Sequence, residues 1–85
     1  MIRRDSVDHL VLGVCACTAL LPSEVATRAR KAQARAGVPE YAQVSEREVL
    51  LTVRNLQNLR LLAYGNKLTR EAENVLDELG PWRPR

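Results

Sequence analysis

Five residues in one stretch of this sequence share a chemical theme. With residues 46–59 placed about 100° apart, Arg47, Leu51, Arg54, Asn55 and Asn58 fall on one face of a helix. Arginine and asparagine are the side chains whose paired polar groups fork onto guanine and adenine edges, and an apolar side chain such as Leu51 can meet a thymine methyl. A merely solvated face normally carries Glu and Lys. Arg28, Lys31 and Arg35, with Lys67 and Arg70 further on, are the residue types that hold phosphates. Between Val25 and Arg70 nine basic residues stand against three acids, whereas Glu71–Leu79 carries four acids and no base. A basic middle beside an acidic end is the pattern of a face meant for a polyanion.

Residues suited to catalysis are scarce. His9 and Asp8 are adjacent rather than placed as base and orienter, and no Ser or Cys has an activating partner in view. Cys15 and Cys17 point about 200° apart on a helix, poorly placed to share a metal or to bridge, and are read as small buried residues with reduced thiols. His9 is the only histidine, and there is no phosphate-binding glycine loop. The expectation is a binding module: no enzyme, no cofactor and no metal.

Size agrees with that. Eighty-five residues, 46% hydrophobic and 27% charged, make one small domain over residues 1–85. With aromatics at 4% and no Phe, the core must come from Leu, Val and Ala, which suits thin helices packed closely. So small a chain buries only about 60% of its unfolded surface, and a homodimer is an ordinary remedy. Arg3 and Arg4 ahead of the apolar run 10–21 have the outline of a secretory signal. Asp5 and Asp8 interrupt the positive region, and the run is too short to span a bilayer. It is read as a buried helix of a cytoplasmic protein with no membrane partner.

The elements that must position these residues are four helices and one tight hairpin. The first helix covers about 6–20, capped by Asp5 or Ser6, with Val7, Leu10, Val11 and Val14 at helical spacing. The second runs 24–36, capped by Ser23 and stopped by Gly37, with a stripe of Val25, Ala29, Ala32 and Ala36. The third runs 46–59 behind Ser45-Glu-Arg-Glu48, a capping box. Residues 61–68 read as two short strands around Gly65-Asn66. Thr69 caps a fourth helix over 70–79, and 80–85 form a tail whose Trp82 must pack on this chain or on a partner.

Three pieces in this order resemble a winged helix-turn-helix domain, in particular the small bacterial repressors of the MarR and PadR type: Leu21-Pro-Ser-Glu-Val-Ala26, Val53-Arg-Asn-Leu-Gln-Asn-Leu-Arg-Leu-Leu62 and Leu68-Thr-Arg-Glu-Ala-Glu-Asn-Val-Leu-Asp-Glu-Leu79. Arg60 stands where that family usually has glycine, the wing is very short, and the linker 37–44 is longer than a tight turn. The resemblance implies a mostly α (α+β) fold: three helices, a short two-stranded wing and a C-terminal helix. It implies a bacterial or phage transcriptional regulator, a repressor, binding double-stranded DNA as a homodimer with the third helix in the major groove. Arg47, Leu51, Arg54, Asn55 and Asn58 would then face bases or phosphates. Ser45, Arg28, Lys31, Arg35, Lys67 and Arg70 would hold the backbone. The dimer seam would use Val7, Leu10, Val14, Val75, Leu79 and Trp82. The competing expectation is a protein-interaction module or inhibitor that meets an acidic protein partner through the same basic face.

Overall fold

Among the described residues, hydroxyl caps start three of the four helices. In the computed structural model, which describes residues 2–16 and 21–84, Ser6 Oγ accepts from the His9 amide at 3.2 Å to open α1, Val7–Cys15. Ser45 opens α3, Glu46–Asn58, and Thr69 opens α4, Arg70–Leu79. The second helix, α2, spans Pro22–Arg35 and starts differently. Proline sits at its first position, where its missing N–H costs nothing and its fixed φ suits a helix. Ser23 is therefore inside the helix rather than its cap, and Glu24 reaches back to the Leu21 amide. Two 3-10 turns, Glu40–Ala42 and Tyr64–Asn66, lie in the connections. Cys17 and the expected last turn of the first helix, to residue 20, lie outside the described residues.

The winged fold is not what forms. Among the described residues there is no strand; a single antiparallel bridge joins Leu62 to Leu68. The reason is burial. Leu61 and Leu62 are consecutive and both buried, whereas a strand sends successive side chains to opposite faces. Arg60 reverses the chain just before them and Thr69 starts α4 just after Leu68, so only one residue pair can match. The architecture is all-α, with the turn held by Ala63 N–H to Lys67 O at 2.8 Å and Thr69 N–H to Leu61 O at 3.1 Å.

The core is aliphatic, as the composition demands. Leu12, Val11, Val25, Val49 and Leu56 are fully buried, with Ala29 and Ala72 letting helices approach closely. On α2 the buried set is Val25, Ala26, Ala29 and Gln33; Ala32 is half-buried and Ala36 is exposed, a rotation of the expected stripe. Of the residues expected at a dimer seam, Leu10 and Val14 are buried in the chain's own core. Val7, Val75 and Trp82 are half-buried and packed against it, and Leu79 is also half-buried. No helix among the described residues is long and apolar enough to cross a membrane.

His9 closes the fold. Its ring is fully buried, and its Nδ1 accepts from the Asp5 amide at 2.9 Å. A nitrogen that accepts cannot carry the proton, so Nε2–H donates, to Gly80 O at 2.8 Å. The Arg4 guanidinium donates to Leu79 O at 2.7 Å, and the Arg83 amide donates to Asp5 Oδ1 at 3.0 Å. Together these bonds tie the start of α1 to the exit of α4. Replacing His9→Ala removes both hydrogen bonds of a fully buried ring and leaves a cavity, which should cost roughly 2–4 kcal/mol in urea unfolding. A loss below about 1 kcal/mol would show that the two ends are held by packing alone.

Candidate nucleic-acid interface

The outward face of α3 is built from its two ends. At the entry, Ser45 Oγ accepts from the Glu48 amide at 3.1 Å, and Glu48 Oε1 lies 3.4 Å from the Ser45 amide, the reciprocal capping box. One residue earlier, the buried Gln33 of α2 accepts the Val44 amide on its Oε1 at 2.8 Å. That bond crosses the long linker and fixes where α3 begins. Ser45, expected also to hold the DNA backbone, is the cap of the helix, as its box with Glu48 predicts.

At the exit the chain makes a Schellman motif. The Leu61 amide donates to Leu56 O at 2.9 Å and the Arg60 amide to Gln57 O at 3.0 Å. Arg60 occupies the left-handed position with φ 62°. Glycine takes that conformation freely, whereas here an arginine holds it. The other α3-like exit, at the end of α2, does use glycine: Gly37 has φ 88°, and the Val38 amide donates to Gln33 O at 2.9 Å. Thr69 then secures the Arg60 turn, its hydroxyl donating to Arg60 O at 2.9 Å while accepting from the Ala72 amide at 3.3 Å.

Between those ends Val49, Val53 and Leu56 are buried, and the opposite face is open. Arg47, Arg54, Asn55 and Asn58 are exposed, and their side chains have no hydrogen-bonding or ionic partner among the described residues. Leu51 is 56% exposed and Leu50, its neighbour, 41%. Two tyrosines flank the helix in sequence, Tyr41 in the linker before it and Tyr64 in the turn after it, 92% and 99% exposed. They were not among the expected site residues; nothing in their local sequence marks them, since exposure is decided by how the turns pack. Lys67 and Arg70 are exposed beside the bridged turn.

The α2 basics go elsewhere. Arg28, Lys31 and Arg35 line an open groove of about 970 Å³ with α1 and the tail, including Gly13, Val14 and Trp82. No α3 residue lines it. The structure therefore brings the α3 set together and puts the α2 set in a different depression.

Comparison with known protein families, curated proteins and solved structures finds no match to this chain. The left-handed Arg60 allows a direct check on the exit of α3. A non-glycine residue there is strained by about 1–2 kcal/mol, so Arg60→Gly should raise the melting temperature by several degrees, roughly 4 °C or more for a domain this small. An unchanged or lowered melting temperature would mean that the arginine side chain compensates through contacts of its own.

Proposed function

We propose that this chain binds duplex DNA through the exposed face of α3 and acts as a transcriptional regulator. The observation that carries this reading is the composition of that face: two arginines, two asparagines and a leucine, all unpartnered and exposed, on a helix the fold holds at both ends. Thirteen residues give α3 a length of about 20 Å at about 1.5 Å per residue, enough to cross a major groove about 12 Å wide. Arg47 and Arg54 would fork onto guanine or hold phosphate, Asn55 and Asn58 would read adenine, and Leu51 would meet a thymine methyl. Tyr41 and Tyr64 are placed in sequence to donate their hydroxyls to phosphates on either side, with Lys67 and Arg70 adding charge. Without a wing, the reading rests on the major groove alone. Two copies on a palindromic site would supply the reach that one small domain lacks, in the reducing cytoplasm where its thiols persist.

One observation favours a protein partner instead. Leu50, Leu51, Leu59 and both tyrosines are exposed, and tyrosine beside arginine is the usual make-up of a protein-binding hot spot. Salt separates the two readings, because phosphate binding releases counterions and an apolar interface does not.

Fluorescence anisotropy with a labelled mixed-sequence duplex across a salt series tests the proposal. Affinity should fall steeply as salt rises. Arg54→Ala should weaken binding by roughly tenfold or more and flatten the salt slope by about one. No binding at low salt, or a salt-insensitive complex untouched by Arg54→Ala, would remove DNA as the ligand of α3.

A further inference from the structure

The groove beside α2 has three features that point to an occupant. Arg28, Lys31 and Arg35 lie along one stripe of α2 and rim it, with Glu24 the only acid among its lining residues. Their charged groups have no partner among the described residues. The floor is apolar, and half-buried Trp82 forms part of it. Gly13 sits in that floor within α1, and a Cβ built on it would meet nothing within 4 Å. Glycine is the poorest ordinary residue for a helix interior, and no packing among the described residues calls for one. What a glycine there does provide is close approach for a backbone laid across α1.

From these features we infer that the groove docks an acidic amphipathic helix of another protein. Such a helix lays its apolar side on Gly13, Ala32 and Trp82 and its carboxylates against Arg28, Lys31 and Arg35. The lining runs along α2 from Ser23 to Ala36, roughly 20 Å at about 1.5 Å per residue, long enough to seat a docked helix of two turns or more. A second copy of this chain fits less well in either pose. Groove against groove across a two-fold axis sets cations on like cations. The acidic helix α4 of a second copy turns Ala72, Val75 and Leu76 toward its own core and leaves a mostly polar outer face, with little apolar surface to lay on the floor. The inference is independent of the DNA reading, which uses α3.

Trp82 is the only tryptophan, so its emission reports the groove. The probe is a blocked peptide of roughly 16 residues, long enough to hold some helix in water, with Leu at i, i+3, i+4 and i+7 and Glu elsewhere. Its twin carries Lys for every Glu. The Glu peptide should shift Trp82 emission saturably and the Lys twin should not. Lys31→Glu should weaken the Glu peptide by about tenfold. Gly13→Ala should raise the melting temperature by a few degrees, through helix propensity, while weakening the same peptide several-fold, a pairing that loss of fold cannot produce. Arg54→Ala should leave peptide binding unchanged. Equal binding of both peptides, or a Gly13→Ala variant that binds as well as the native chain, would overturn the inference. So would a concentration-dependent dimer in sedimentation that Gly13→Ala disrupts, which would give the groove to a second copy.

Discussion

A buried imidazole sits at the centre of the closure between the two ends of this small fold. His9 is enclosed between an amide of the segment before α1 and a carbonyl at the exit of α4, and each ring nitrogen has one role. An aliphatic core with one tryptophan and few other rings has little shape specificity, since Leu, Val and Ala slide past one another at small cost. A directional pair of hydrogen bonds in its interior removes that freedom. Through Gly80 it also sets where the chain emerges toward Trp82, and hence part of the groove's floor. The Asp5 and Arg4 bonds to the same region make the closure a small network rather than one contact.

Directional polar contacts fix α3 in the same way. Gln33 reaches from the interior of α2 to the amide just ahead of the cap, Thr69 grips the turn beyond it, and Gln57 Nε2 donates to Asn66 Oδ1 at 3.0 Å beneath that turn. All three bonds lie at the ends or the flank of α3, so its open face takes no part in holding the helix. The left-handed Arg60 and Asn66 near its exit are conformations the surrounding bonds enforce.

Local signals were legible and long-range ones were not. The Ser45–Glu48 box and the Thr69 cap place α3 and α4 within a residue of their expected ends, because each cap is decided by neighbours three positions away. Pro22 against Ser23 was a close contest between two local rules, and proline at the first helical position prevailed. The wing failed because Leu61-Leu-Ala-Tyr64 has strand-like residues and a good turn, while the inward placement of both leucines follows from tertiary packing. His9 carried no signal at all: its second partner is 71 residues away. Likewise the arginines and asparagines on α3 and the cations on α2 were visible as residue types, but the separation of the two sets depends on how α1 and the tail flank α2.

The closure between the segment ahead of α1 and the exit of α4 makes the path of the chain a ring in all but covalent connection. In such a ring the succession of helices along the backbone is separable from their packing. A short bridge from residue 83 back to residue 4, with a new opening at the exposed Glu40–Ala42 turn, would keep every helix and both pinning bonds while reordering the chain as α3, α4, α1, α2. The bond from Gln33 to Val44 would then join the two new ends, a circular permutation in which the ends of the chain exchange roles with the linker.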